Sequence, residues 1–189
     1  KRWFANKGRG MVQAVTGSGK TFLALNAADR LANTLNLDLR TKIVVPTRTL
    51  MYQWYHAIKA YYGDPPKNFI GLRGGGHKPL VDCQYTIYII NSARYELARQ
   101  ILSELRGGKA VLLIADECHH YISEQNQLIF EFIPHMQSYR DHFFSLGLSA
   151  SLPSGHAGRQ LAAALGRKIY TYGITAATAR HTICPYDIF

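Results

Sequence analysis

Short apolar runs alternate along the chain with amphipathic stretches. The apolar runs predict strands at residues 11–15, 42–45, 68–72, 85–90, 110–115, 143–148 and 168–172. Apolar positions at helical spacing predict helices at residues 20–35, 48–61, 92–105, 125–137 and 158–165. Several strands, such as the one that includes residues 111–114, are nearly all apolar, as is typical of parallel sheets covered on both faces. The pattern therefore predicts an α/β fold, an open three-layer structure in which residues 1–189 form a single domain.

A glycine-rich stretch, A-V-T-G-S-G-K-T at residues 14–21, joins the first predicted strand to the first long helix. It fits the phosphate-loop pattern G-x-x-x-x-G-K-[ST], with Ala14 in place of the first glycine. Glycines let consecutive backbone N–H groups point at phosphate oxygens, and the following helix directs its positive end at them. Lys20 adds charge for the outer phosphates, and the Thr21 hydroxyl suits Mg²⁺. The predicted triphosphate site comprises Thr16, Gly17, Ser18, Gly19, Lys20 and Thr21.

A second motif, D-E-C-H at residues 116–119, follows the apolar strand at residues 110–115. Two carboxylates at the end of a buried strand are costly unless a cation or a reaction needs them. We expect Asp116 to hold, through water, the Mg²⁺ that Thr21 binds. We expect Glu117 to orient and deprotonate the attacking water, which makes Lys20 and Glu117 the predicted catalytic residues. The ordinary alternative is a helix N-terminus, where acidic residues are favoured by the helix dipole.

Two further stretches, P-T-R-T-L at residues 46–50 and S-A-S at residues 149–151, also lie at the ends of predicted strands. Together with A-V-T-G-S-G-K-T and D-E-C-H, they resemble motifs I, Ia, II and III of superfamily 2 helicases. The runs I-A-D-E-C-H and L-G-L-S-A-S are similar to those of the DEAD/DEAH-box group that includes the ATPase (Res) subunits of type III restriction enzymes. The stretch from residue 165 to residue 186 resembles the family's exit from its first RecA-like domain.

The resemblance implies the first RecA-like domain of an ATP-dependent helicase or translocase, with ATP and Mg²⁺ as cofactors. It favours DNA over RNA as the nucleic-acid partner and suggests nuclease or methyltransferase subunits as further partners. It also implies that His119 bridges motif II to the coupling residues Ser149 and Ser151. It assigns nucleic-acid contacts to Thr47, Arg48, Arg73, Gly74, Gly75, Asn91 and Ser92. Helix capping by Thr47, Asn91 or Ser92, and a simple turn at residues 73–76, are the structural alternatives.

Two features of the family are expected to lie outside these 189 residues. The glutamine that contacts adenine precedes motif I by more residues than the chain has before residue 14, so adenine recognition is not predicted. The second RecA-like domain carries an arginine finger, and such an arginine raises phosphoryl-transfer rates by orders of magnitude. We therefore expect little or no ATP turnover from residues 1–189 alone. The chain begins at Lys1 without an initiator Met, and we interpret it as part of a longer protein.

The charge of the chain indicates the kind of partner that it binds, and its cysteines indicate the compartment in which it works. The net charge is +10, and residues 1–80 hold 13 Lys and Arg against three acidic residues, which favours a polyanionic partner. The three cysteines, Cys83, Cys118 and Cys184, are scattered and lack zinc-site spacing, which favours a reducing compartment. No apolar run is long enough to span a bilayer and no secretory signal is present, so we expect a cytoplasmic or nucleoid-associated protein.

Two other classes of function remain open from the sequence. A phosphate-loop NTPase acting on a protein or a small molecule would share motif I, and a nucleotide-gated scaffold subunit of a nuclease complex would share the fold. D-E-C-H, S-A-S and the uneven charge argue against the first class. The intact Lys20 and Glu117 argue against the second.

Overall fold

The computed structural model describes residues 1–35, 38–77 and 82–179. Seven strands and seven α-helices are found in these ranges. The strands are β1 (Arg9–Ala14), β2 (Leu39–Val45), β3 (Ile70–Arg73), β4 (Tyr85–Ile89), β5 (Ala110–Asp116), β6 (Phe143–Ser149) and β7 (Lys168–Tyr172). The helices are α1 (Arg2–Ala5), α2 (Lys20–Thr34), α3 (Arg48–Tyr62), α4 (Ile90–Arg106), α5 (Glu124–Gln127), α6 (Gly155–Leu165) and α7 (Ile174–Ala179).

The strands form one sheet in the order β3-β4-β2-β5-β6-β1-β7, and every pair of neighbours is parallel. β2, β5 and β6 are buried along their whole length, which explains why their sequences are mostly apolar rather than alternating. Parallel neighbours require crossover connections, and these place helices on both faces of the sheet. The predicted α/β three-layer fold is confirmed.

Two hydrophobic cores lie on opposite faces of the sheet. One core joins the sheet to α1, α2 and α3 and includes Trp3, Leu25 and Trp54. The other joins the sheet to α4, α6 and the segment after β5, and includes Leu97, Tyr121 and Leu161. Burial of this much apolar surface on both sides fixes each strand in place and therefore fixes where each strand ends.

β2 begins at Leu39, three residues earlier than predicted, because the strand continues through the charged residue Arg40. Arg40 pairs with Asp38 at 2.7 Å and with Asp82 at 2.9 Å, and the Lys42 ammonium lies 2.7 Å from Glu104. A cation in a strand is tolerated when a carboxylate reaches it, which the local sequence does not reveal.

The single helix predicted at residues 125–137 is wrong. The chain instead forms α5 and then two 3-10 segments, Leu128–Phe130 and Ile133–Tyr139. Pro134 lies in the first turn of the second segment, and a proline interrupts a continuous helix because it lacks an N–H and clashes with the preceding turn. Ile129, Phe132 and Met136 are still buried, so the apolar spacing was interpreted correctly as a core-facing pattern.

All strands of a parallel sheet point their carboxyl ends to the same edge, and the predicted motifs lie at that edge. Residues 15–19 follow β1, residues 46–47 follow β2, and residues 74–77 follow β3. α4 begins directly after β4, Glu117 follows β5, and Ala150 follows β6. This is the edge at which open α/β sheets bind their ligands.

Candidate active site

The glycine-rich loop between β1 and α2 has the backbone that a phosphate loop requires. Gly17 and Gly19 adopt left-handed conformations, with φ angles of +79° and +80°, and α2 begins at Lys20 immediately after Gly19. A Cβ added at Gly19 would meet no atom within 4 Å, so the requirement there is conformational rather than steric. The first turn of α2 therefore presents free N–H groups to the loop.

Polar groups of the loop are left available for an anion. The Ser18 hydroxyl oxygen is buried and has no hydrogen-bond partner within the described residues. The Lys20 ammonium donates to the carbonyl oxygens of Ala14 at 3.0 Å and Val15 at 3.3 Å. Within the described part of the chain, no carboxylate lies within ion-pair distance of that ammonium, so its charge is not neutralised by the protein. Phosphate oxygens would satisfy both groups.

The two acidic residues of D-E-C-H lie at the same edge of the sheet as the glycine-rich loop. β5 and β1 both flank β6, and Asp116 aligns with Leu148, which in turn aligns with Val12 of β1. Two strand spacings correspond to roughly 10 Å, about the span of a triphosphate and its metal. The charge of Lys20 also reaches Asp116, since it lowers the pKa of that carboxyl and partly opposes the effect of burial.

Asp116 is buried, with 5% of its surface exposed, and both its oxygens accept hydrogen bonds. The Trp54 indole donates to Oδ2 at 2.7 Å, and the Glu117 backbone N–H donates to Oδ1 at 3.0 Å. Burial raises the pKa of Asp116, and the neighbouring Glu117 charge raises it further. A carboxylate that is buried beside a second acidic group is stabilised by a nearby cation. The local sequence assigns no role to Trp54; the available clue is that a buried indole N–H needs an acceptor.

Glu117 has a backbone conformation that few non-glycine residues adopt. Its φ and ψ angles are 46° and 49°, in the left-handed region, immediately after β5 ends. The turn directs the chain away from the sheet into the 3-10 segment Cys118–Ile122. The Glu117 side chain remains partly exposed, at 22%, and its Oε2 atom lies 3.4 Å from His119 Nδ1. Backbone strain of this kind is often kept where it places a reactive group.

His119 connects the acidic pair to the end of β6. Its Nδ1 atom lies 2.8 Å from the Ser149 hydroxyl, which accepts from the Ser151 backbone N–H at 3.2 Å and donates to the Ser151 carbonyl oxygen. The hydroxyl's one proton is directed at that carbonyl, so the tautomer with a proton on Nδ1 is the one that fits the contact between His119 and Ser149. Burial lowers the pKa of His119, which favours this neutral form. The structure thus brings together the three residues predicted to couple motifs II and III.

The donor set around Asp116 suits Mg²⁺. The Thr21 hydroxyl stands in the first turn of α2, and the Asp116 and Glu117 carboxylates stand two strands away, so the ligands on offer are all hard oxygen atoms. Mg²⁺ favours such oxygens and commonly keeps several waters between itself and the protein. Thr21 and Asp116 are therefore the residues that would hold it, together with phosphate oxygens.

Five residues predicted to contact nucleic acid lie together at the β2-β4-β3 part of the same edge, and we call them the nucleic-acid cluster: Thr47, Arg48, Gly74, Gly75 and Ser92. A Cβ added at Gly74 would lie 2.6 Å from the Ser92 hydroxyl, and one added at Gly75 would lie 3.2 Å from Arg48 Nε. Thr47 caps α3, because its hydroxyl accepts from the Leu50 backbone N–H at 3.2 Å. Arg48 is exposed and lies over the Tyr52 ring. Exposed cations beside a helix N-terminus and close-approach glycines suit a phosphate backbone.

Two other predicted contacts are placed differently. The Arg73 guanidinium is largely buried and lies 3.5 Å from Glu96 of α4, so its charge is directed partly into the fold. Asn91 is exposed in the first turn of α4, but that helix is capped at Ile89 without a side-chain hydrogen bond. The alternative role of Asn91 or Ser92 as the helix N-cap is therefore not observed.

The fold and the site geometry together define a phosphate-loop NTPase with a D-E-x-H motif. The family model described as "Type III restriction enzyme, res subunit" matches residues 1–154. The chain therefore belongs to this family, and the family predicted from its motifs is confirmed. Because the matched region contains the glycine-rich loop, D-E-C-H and S-A-S, the residues discussed above all belong to the shared domain.

Two individual proteins are similar to the chain. The DNA 3'-5' translocase XPB2 of Sulfurisphaera tokodaii is 36% identical over 124 residues, which are 66% of this chain and 24% of that protein. The chain thus spans about a quarter of the length of this curated relative. The crystal structure of the Hef helicase domain of Pyrococcus furiosus superposes with a TM-score of 0.65 at 19% identity. The match covers 88% of this chain and 35% of that one, and it supports the RecA-like fold.

Proposed function

We propose that this chain is the ATP-binding motor domain of a superfamily 2 helicase or translocase that acts on DNA. The observation that carries the proposal is the convergence of the phosphate loop, the Asp116–Glu117 pair and the His119–Ser149 link at one edge of the sheet. Membership of the restriction-subunit family and similarity to a DNA translocase support DNA as the substrate. None of the described helices is both long and apolar enough to cross a membrane.

Each residue has a definite role in the proposed hydrolysis. The loop N–H groups and Lys20 hold the phosphates, while Thr21 and Asp116 hold Mg²⁺, which neutralises charge on the β- and γ-phosphates. Glu117 orients the attacking water and accepts its proton. His119 senses the state of the site and transmits it through Ser149 to the backbone of Ser151.

The strand order predicts the direction in which ATP lies. The γ-phosphate must face Asp116 and Glu117, which lie on the β6 side of β1, so the base is directed to the β7 side. A cavity of about 220 Å³ opens there beside Lys20 and Ser18, and Leu23, Tyr170 and Tyr172 line it. An apolar cavity with aromatic walls is a suitable environment for a purine base.

The experiment is the binding of a fluorescent ATP analogue to the chain with Mg²⁺ present. Lys20→Ala should weaken binding by about tenfold or more, because one charged hydrogen bond contributes roughly 1.5–3 kcal/mol. Lys67→Ala removes an equally charged but exposed side chain and serves as the matched control. Equal affinities of the two variants, or no binding by the unmodified chain, would contradict the proposal.

The proposal extends to partners that belong to the whole protein. Hydrolysis would require a second RecA-like domain to supply an arginine, so we expect the 189-residue chain to bind ATP with little turnover. Nuclease or methyltransferase subunits, and a cytoplasmic or nucleoid location, fit a restriction-type motor. Stimulation of the full-length ATPase by DNA but not by RNA or protein would support the nucleic-acid assignment.

A further inference from the structure

The hydrogen bond between Trp54 and Asp116 connects two parts of the molecule that have separate tasks. Trp54 lies in the middle of α3, with 1% of its surface exposed, and its indole Nε1 donates to Asp116 Oδ2 at 2.7 Å. An N–H donated to a carboxylate is stronger than a bond between neutral groups. Asp116 is the carboxylate that we assign to Mg²⁺, so the indole holds one oxygen of a proposed metal ligand by a hydrogen bond.

The geometry fixes the plane of the carboxylate. The Glu117 backbone N–H donates to Oδ1 and the buried Trp54 indole donates to Oδ2, so each oxygen accepts one hydrogen bond. Rotation about the terminal carboxyl bond, which is otherwise soft, would break at least one of these bonds. The remaining lone pairs then have a defined direction for a metal ion or its water.

The same indole ties this carboxylate to the nucleic-acid cluster. α3 begins at Arg48, and Thr47 caps it, so the proposed DNA contacts lie at its N-terminus about 10 Å from Trp54 along the helix. Met51, Trp54 and Ile58 are all buried on the face that packs against the sheet. A shift of α3 on DNA binding would therefore move the donor that orients Asp116.

We propose that Trp54 is a positioning residue for Asp116 and that it makes Mg²⁺ binding responsive to DNA bound at the start of α3. The inference rests on the proposed function, because it needs a nucleotide with Mg²⁺ at Asp116 and DNA at Arg48. It assigns to α3 a second role beyond contact with the nucleic-acid backbone.

Trp54→Phe tests the role, because it removes the indole N–H and keeps an aromatic ring in the core. Trp3→Phe is the matched control, since the Trp3 indole is also buried and donates at 2.9 Å to a backbone carbonyl, that of Ser145. We expect Trp54→Phe to raise the Mg²⁺ concentration needed for tight nucleotide binding by roughly tenfold, with metal-free nucleotide affinity unchanged. Trp3→Phe should leave both quantities unchanged.

The effect of DNA is tested by repeating the Mg²⁺ titration of nucleotide binding with DNA present. DNA should alter the Mg²⁺ requirement of the unmodified chain and of Trp3→Phe, but not that of Trp54→Phe. Identical Mg²⁺ titrations of the two variants would overturn the positioning role, whereas failure of the unmodified chain to bind Mg²⁺-nucleotide would overturn the proposed function itself.

A second measurement does not depend on how Trp54→Phe folds. The chain has two tryptophans, so its two indole N–H resonances can be assigned with Trp3→Phe. Asp116→Asn removes the carboxylate charge, and it should shift the Trp54 indole resonance while leaving that of Trp3 in place. Addition of Mg²⁺-nucleotide to the unmodified chain should also shift Trp54 alone. An unmoved Trp54 resonance in both experiments would overturn the inference.

Discussion

Glu117 combines a strained backbone with a partly exposed carboxylate at the edge of the sheet. A non-glycine residue at a φ of 46° costs roughly 1–2 kcal/mol, and nothing in the packing of the core requires a glutamate there. The turn places the carboxylate beyond the end of β5, next to His119 and two strands from the phosphate loop. The strain is therefore understandable if this position carries the general base.

Glu117→Gln is expected to separate ATP binding from hydrolysis. Glutamine keeps the size of the side chain but cannot accept a proton from water, so turnover of the full-length protein should fall by roughly 10²- to 10⁴-fold. Binding should persist, so the variant should retain ATP in a filter-binding assay. Glu124→Gln, an exposed change in α5, is the control. Unchanged turnover would remove Glu117 from this role.

His119 makes the fold sensitive to mild acid. Burial, with help from His120, lowers the pKa of its imidazole below the ordinary value, and the charge of Glu117 opposes this. The folded state therefore resists protonation, so this contribution to stability is complete above about pH 6.5 and is lost as the pH falls below that value. His119→Gln should show a smaller drop in melting temperature between about pH 7.5 and 5.5 than the unmodified chain. An equal drop would contradict the prediction.

The residue roles that could be predicted were those with a recognisable local pattern. Lys20, Glu117 and Ser149 stand in motifs whose spacing carries the chemistry. Trp54 could not be assigned, because its partner Asp116 is 62 residues away and only the packing of α3 on the sheet joins them. Arg73 was assigned to nucleic acid by the family resemblance, and its pairing with Glu96 depends on the packing of α4, which the resemblance does not show.

At the scale of elements, alanine substitutions in the turn after β3 would measure how tightly this turn packs against α4. Gly74 and Gly76 both have positive φ angles, +103° and +85°, so an alanine at either position should cost about 1 kcal/mol of unfolding free energy. Only Gly74 is also crowded, by the Ser92 hydroxyl at 2.6 Å, whereas Gly76 has open space. Gly74→Ala should therefore cost roughly 1 kcal/mol more than Gly76→Ala in urea denaturation.

The crowding at Gly74 can be relieved from the other side. Ser92→Ala removes the hydroxyl, so Gly74→Ala combined with Ser92→Ala should recover most of the difference between the two glycine variants. A double variant as unstable as the sum of its parts would show that the two residues do not press on each other. The short distance between Gly74, in the turn after β3, and Ser92 of α4 would then have no effect on stability.

The strands that were predicted well are those in which burial is accompanied by a mostly apolar sequence. β5 and β6 are mostly apolar, and their predicted bounds differ from the observed ones by a single residue at the carboxyl end. β2 was shortened in the prediction because Arg40 interrupts the apolar run, although its charge is paired with Asp82, which is distant in sequence. The segment after α5 kept its buried positions but not its helix, because Pro134 favours 3-10 turns.

At the scale of the whole molecule, the excess positive charge of residues 1–80 divides into two groups. The side chains of Arg40 and Lys42 are buried and pair with carboxylates, and Arg9 donates to the carbonyl oxygens of Ala163 and Ala164 near the end of α6. Exposed cations such as Arg48 and Lys67 remain at the surface. Sequence charge alone therefore overstated the basic surface, and the structure shows that only part of it can meet a polyanion.

DNA binding by this surface should depend steeply on salt and weakly on sequence, because phosphates rather than bases would be contacted. With about five phosphate contacts, affinity should fall roughly 10²- to 10³-fold between about 50 and 200 mM salt. Arg48→Ala should reduce the slope of log affinity against log salt by about one. Lys59→Ala, near the other end of α3, should leave the slope unchanged because that end lies roughly 16 Å away. Fluorescence anisotropy with two unrelated duplexes measures both properties, and equal slopes for Arg48→Ala and Lys59→Ala would show that the start of α3 does not contact the DNA backbone.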